Sequence, residues 1–129
     1  MKWSLEYLEQ DEIVSATTSG TFKINDIHQL TKEILAFGAE RNAYKYLVDD
    51  SQIDLQISTL EIDDLPSIFK KFGLTEQDKF ALVYKPSLGK ENNYNFFKST
   101  SGIQGLQVKV FTDIEQAKQW LCSASKVLR

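Results

Sequence analysis

With 129 residues the chain is long enough for one domain with a real core, since roughly two-thirds of the unfolded surface is buried at this size. Hydrophobic residues make up 42% and charged residues 26%, ordinary globular usage that excludes a disordered or fibrous chain. The balance of 15 Lys and Arg against 18 Asp and Glu, a formal net charge of -3 without a basic cluster, excludes the electrostatic footprint of a nucleic-acid binder.

The amino terminus, Met1-Lys2-Trp3-Ser4-Leu5-Glu6, has no uninterrupted apolar run of signal-peptide length. No window approaches the roughly 18 apolar residues of a membrane span, so the expected location is the cytoplasm. Residues 3–8 alternate apolar and polar, the period of a half-buried strand. After the acidic turn Glu9-Gln10-Asp11-Glu12, β-favouring side chains resume at Ile13 and run toward Gly20, which predicts an antiparallel hairpin.

Asn25 is placed to cap the next segment, where Ile27, Leu30, Ile34, Leu35 and Phe37 recur at helical spacing over Asn25 to Asn42. A strand follows over 44–49, its continuous run Tyr46-Leu47-Val48 predicting cover on both faces. It stops on Asp49-Asp50-Ser51, and Gln52 to Ile57 is expected to be a loop whose Ile53, Leu55 and Ile57 need cover from a partner or a pocket.

Ser58-Thr59-Leu60-Glu61 is a capping box, yet Pro66 lies deep inside a helix begun there. Either that helix kinks at Pro66, or a short turn from Ser58 precedes a main helix starting near Asp64. In both cases Leu65, Ile68, Phe69 and Phe72 form one buried stripe that Gly73 ends with a left-handed cap. Residues 79–84 read as a strand and Ser87 to Thr100 as a helix with Tyr94, Phe96 and Phe97 partly inward. Gly105 to Phe111 is the last strand. Thr112 or Asp113 caps a final helix, boxed by Glu115 or Gln116, whose stripe is Ile114, Ala117, Trp120, Leu121, Ala124 and Leu128.

The order is therefore β-β-α-β-α-β-α-β-α. It predicts a single α/β domain over 1–129, a mixed, mostly parallel sheet of about five strands with four helices joined by right-handed crossovers.

Phe96-Phe97, Gly105 to Asp113, Glu115-Gln116-Ala117 and Trp120-Leu121, with Leu47-Val48-Asp49 and Ser19-Gly20-Thr21, resemble the SpoIIAA-like branch of the STAS superfamily (sulfate transporter and anti-sigma-factor antagonist). The resemblance covers nearly the whole chain. It implies a fold shared by phosphorylatable bacterial regulators and, more distantly, CRAL-TRIO lipid-transfer domains. In the regulators a serine in an Asp-Ser-Ser-Gly type motif, at the start of the helix after the central strand, is phosphorylated by a partner kinase. Here the region reads Asp49-Asp50-Ser51-Gln52-Ile53, and no glycine follows the serine.

In an open parallel sheet a site is expected beyond the carboxyl ends of the strands, near a switch in strand order. Those ends are Gly20-Thr21-Phe22, Asp49-Asp50-Ser51, Lys85-Pro86-Ser87 and Thr112-Asp113. Asp49 and Asp50 should leave the strand on opposite sides, one capping a turn and the other solvated, rather than forming a metal or acid–base pair. Ser51 and Ser58 are candidate phosphoacceptors or partner-binding residues, with helix capping as the alternative for Ser58. Phe22, Phe69, Phe72, Phe96 and Phe97 are candidate pocket residues for an apolar ligand, with Lys85 at hand for an anionic head group; plain core packing is the alternative.

His28 has no second His or Cys at metal-ligand spacing and is expected at the surface, so no metal or other cofactor is expected. The lone Cys122 allows no internal disulfide and is expected to pack as a small apolar residue. With no phosphate loop, nucleophile elbow or triad order, a non-enzymatic module is expected, acting by binding a protein partner and forming a homo-oligomer, a dimer. The alternative is a small carrier of an apolar or lipid-like ligand.

Overall fold

The computed structural model describes residues 1–86 and 90–123. β1 (Lys2–Leu8) and β2 (Ile13–Phe22) pair antiparallel, with Trp3 opposite Thr18 and Leu8 opposite Ile13. There follow α1 (Ile24–Ala39), β3 (Lys45–Leu55), α2 (Thr59–Lys71), β4 (Lys79–Val83), α3 (Glu91–Ile103), β5 (Gln107–Phe111) and α4 (Ile114–Leu121), the element order expected.

The sheet has the order β1-β2-β3-β4-β5, parallel from β2 onward. Right-handed crossovers that always step in one direction carry their helices to one face. Accordingly α1, α2 and α3 share a core with Val14, Tyr46, Val48, Phe80 and Leu82. α4 follows the last strand and crosses to none, so it takes the other face, with Ala117 and Leu121 against Ile13, Leu47, Ala81 and Val83. The order never reverses, and the expected switch point does not exist in this sheet.

Several boundaries differ from expectation. α1 begins one residue before Asn25, and its first turn is held by the Asp26 carboxylate, which accepts the Lys23 N–H at 2.9 Å. Pro66 lies buried inside one helix running from Thr59, and Gly73 follows it at φ 117°. α3 begins at Glu91 and extends past Thr100 to Ile103; Ser87 to Gly89 lie outside the described residues. Asp113 caps α4 by accepting the Glu115 N–H at 3.3 Å. Because α4 ends at Leu121, Cys122 falls at its C-cap and is exposed rather than packed; Ala124 and Leu128 lie outside the described residues.

The largest difference concerns β3, which does not stop at the acids. Gln52 to Leu55 continue the strand and pair with Ser19 to Phe22. The register shifts between, Thr17 opposing Asp49 and Ser19 opposing Gln52, so that Asp50 and Ser51 together face Thr18 in a β-bulge. One extra residue inverts the alternation. Tyr46 and Val48 enter the helix-covered core before the bulge, Ile53 and Leu55 after it, at 3% and 5% exposure. The chain covers them itself, without a partner.

Lys79 opens β4 and is buried, with its Nζ donating to Trp120 O at 3.0 Å and to Ser123 Oγ at 2.7 Å. A cation at the last carbonyls of α4 both hydrogen-bonds them and meets the negative end of the helix dipole.

Candidate functional site

The bulge turns Asp50 inward. It is 6% exposed, with Oδ1 accepting from the Thr18 hydroxyl at 2.7 Å and Oδ2 from the Tyr94 hydroxyl at 3.0 Å. Desolvation raises its pKa to about 6, against the lowering effect of those two donors and with a further push from the Asp49 charge. Burial beside this carboxylate in turn drives the Tyr94 hydroxyl far above the ordinary tyrosine range. The Tyr84 ring stacks on Tyr94 at 4.9 Å and fixes its plane.

Asp49 does leave on the opposite side, and its Oδ1 accepts the Ser51 N–H at 3.0 Å, the turn-capping role expected for one of the pair. The other half of that expectation fails, because Asp50 is buried and hydrogen-bonded, not solvated. Sequence reasoning placed the second acid after the end of the strand, whereas the bulge keeps it within the strand and aims it at the core.

Over Asp50 opens a crevice of about 50 Å³. Its walls are Ile62, Leu65 and Phe69 of α2, Leu82 of β4 and Phe97 of α3, all buried, and its mouth is framed by the half-buried Ile27, Ile57 and Asn93. Phe69 meets Phe80 and Phe97 edge-on, each at 5.1 Å, so the interior beneath it is filled. Small-molecule pockets run to roughly 300–1,000 Å³, and this crevice has no room for a lipid tail.

Of the candidate pocket residues, Phe69 and Phe97 line the crevice. Phe22 is fully buried elsewhere, against Trp3 at 5.8 Å; Phe72 and Phe96 pack on the core without reaching the opening. Lys85 is exposed and borders a second small recess that Asp50 also lines, with Ile53, Tyr84, Lys90 and Tyr94. Ser51 is half-buried in β3. Ser58 caps α2 in a complete box, its Oγ accepting the Glu61 N–H at 3.2 Å while Glu61 Oε1 accepts the Ser58 N–H at 2.8 Å.

His28 is half-buried in a groove of about 380 Å³ between α1 and α2, with Ile24, Glu61, Asp64, Ser67 and Ile68. No three His, Cys, Asp or Glu side chains among the described residues are grouped to hold a metal ion, and no helix among them is long and apolar enough to cross a membrane. Of the partners of Asp50, Tyr94 was expected only as a partly inward helix residue, and Thr18 was not singled out. They meet through a ladder irregularity and a helix docking 44 residues downstream, and no local pattern encodes either.

No protein-family model matches the sequence, and no curated protein matches it. Among solved structures the chain is similar to an uncharacterised protein of the DUF3478 family from Shewanella loihica PV-4, described as having a SpoIIAA-like fold. The two share 20% identity over 94% of this chain and 93% of that one, with a TM-score of 0.59. The chain thus has the SpoIIAA-like α/β fold that its motifs implied; at this identity the likeness carries fold alone.

Proposed function

We propose that the chain is a non-enzymatic interaction or regulatory module that docks a protein through the amino-terminal end of α2 and the groove beside it. The observation that carries this reading is Leu60, 80% exposed in the first turn of α2. A lone exposed apolar residue is unremarkable, but this one shares a helix face with Asp64 and Ser67, which line the α1–α2 groove. A large apolar side chain beside an apolar groove is the anchor an interface is built on.

The rim is acidic, with Glu61 and Asp64 in the groove lining and Asp63 exposed next to them. It suits a partner surface of apolar residues flanked by basic ones. Self-association through the same face is the homodimeric form of this reading.

Ser58 stands at the head of that face, at the start of the helix after β3. This is the place the regulator resemblance gives to a phosphorylatable serine, and Ser58 fits it better than Ser51. A phosphate on Ser58 would gain from the helix dipole but repel the Glu61 carboxylate that closes the box, so modification would reshape the rim.

The test compares wild type with Leu60→Glu by light scattering after size exclusion and by co-purification from native lysate. A dimer or complex lost in L60E, at unchanged thermal stability, is expected. A partner-free monomer, or a complex indifferent to L60E, sinks the reading. Intact-mass spectrometry of native protein with no phosphate on Ser58 would count against the regulatory part alone.

A further inference from the structure

We propose that the crevice over Asp50 is a binding site for a small primary ammonium carrying a short alkyl body. It shares α1 and α2 with the groove used for protein docking but is lined by different residues of them, and it does not depend on that reading.

The floor of the crevice is a carboxylate with one donor on each oxygen, Thr18 and Tyr94. An ionised carboxylate has sites for about four hydrogen bonds, so acceptor capacity remains. No lysine or arginine among the described residues forms an ion pair with it. A desolvated charge held by neutral donors alone is under-compensated, and a cation delivered to it would relieve that.

The remaining geometry selects the cation. The walls are aliphatic and aromatic, so the ligand needs an apolar body behind its head. At about 50 Å³ the space exceeds one water but takes only a few heavy atoms. An anion would be repelled by Asp50. A quaternary ammonium has no N–H to give and is too wide at its head.

The charged surroundings of Asp50 are few. Asp49 precedes it on the opposite face of the strand; Lys85, Lys90 and Tyr84 border a second recess that Asp50 and Tyr94 also line, and Tyr94 lines the crevice as well. α1 and α2 bring only Ile27, Ile62, Leu65 and Phe69 to the crevice, so no titratable group stands between its mouth and the carboxylate.

The experiment is a titration of the protein with n-propylammonium chloride at pH 7.5, followed by methyl NMR and by thermal shift. Propan-1-ol and tetramethylammonium chloride at equal ionic strength are the controls. Expected are saturable shifts of the Ile57, Ile62 and Leu65 methyl signals and a rise in Tm with propylammonium alone. Affinity should be about tenfold or more weaker in Asp50→Asn, which removes the desolvated charge, and weaker at pH 5 than at pH 7.5, where the proton no longer competes. No saturable response, an equal response to propan-1-ol, or equal affinity in D50N overturns the proposal. Should D50N fail to fold, the pH comparison and the alcohol control in wild type decide it.

Discussion

The Tyr94 hydroxyl of α3 donates to Asp50 Oδ2 across 3.0 Å, tying the helix layer to the sheet at the one place where the β2–β3 ladder slips. A helix and a bulge, each irregular in position by sequence standards, are thereby fixed by the same carboxylate.

Asp50→Asn should change the pH dependence of stability in a defined direction. The folded-state pKa is about 6, pushed up from the ordinary aspartate range chiefly by burial. The folded protein therefore binds this proton more tightly than the unfolded chain, and the contribution is fully present below about pH 4. It is lost as pH rises to about 6, leaving an order-of-magnitude penalty of roughly 3 kcal/mol above that. Glu33, whose pKa is lowered by hydrogen bonds from Gln29 and Trp3, acts in the opposite sense at more acid pH. Urea melts of both proteins from pH 4 to 8 isolate Asp50 by difference: D50N should gain stability relative to wild type across the interval and then run parallel. A difference curve flat with pH would refute the assignment.

Tyr94→Phe removes a donor from the buried carboxylate and leaves its ring in place against Tyr84. An unsatisfied buried acceptor costs about 1–3 kcal/mol, more when charged. The loss should be larger at pH 7.5 than at pH 4.5, where Asp50 is protonated. Equal losses at the two pH values would show that the hydroxyl does not act through the carboxylate.

Lys79→Met keeps the buried stem and deletes the ammonium that holds the end of α4. A destabilisation of roughly 1–3 kcal/mol is expected, concentrated in that helix. Native-state hydrogen exchange should show the α4 amides losing protection ahead of those in β3 and β4; uniform loss across the sheet would contradict a local role.

Gly38→Ala places a methyl group 2.7 Å from Tyr46 Cε1 and 2.8 Å from Cζ. Alanine alone would favour an α-helix by about 1 kcal/mol. Tyr46 is 4% exposed and stacked on Phe80 at 5.9 Å, so its ring has little freedom to retreat. The clash should win, with a net loss of roughly 1–3 kcal/mol by chemical denaturation. A variant as stable as wild type would mean that the ring yields readily.

What the sequence disclosed follows from which signals are local. Helical spacing at Leu30, Ile34 and Leu35, the Ser58–Glu61 box and the β-rich runs are written within a few residues, and all formed as expected. The bulge at Asp50-Ser51 is a relation between strands, invisible to a reading that takes strands singly. Its consequence, the inverted alternation at Ile53 and Leu55, made a strand look like a loop in need of cover. Cys122 was misplaced for a related reason: the helix stripe predicted its packing, but the helix ends before it.

The strand order without reversal bears on how the chain reaches this state. In a sheet built 1-2-3-4-5, each strand emerging from synthesis finds its partner already made and adds at a growing edge. No late segment has to insert between two earlier ones, and pairing distances along the chain stay those of a single crossover, which favours rapid folding. Contacts between layers come later: the one from Asp50 to Tyr94 waits for α3, as those from Lys79 to Trp120 and Ser123 wait for α4. Until α3 arrives, an acid stands at the edge of the nascent sheet, still in water and free of the burial that later raises its proton affinity.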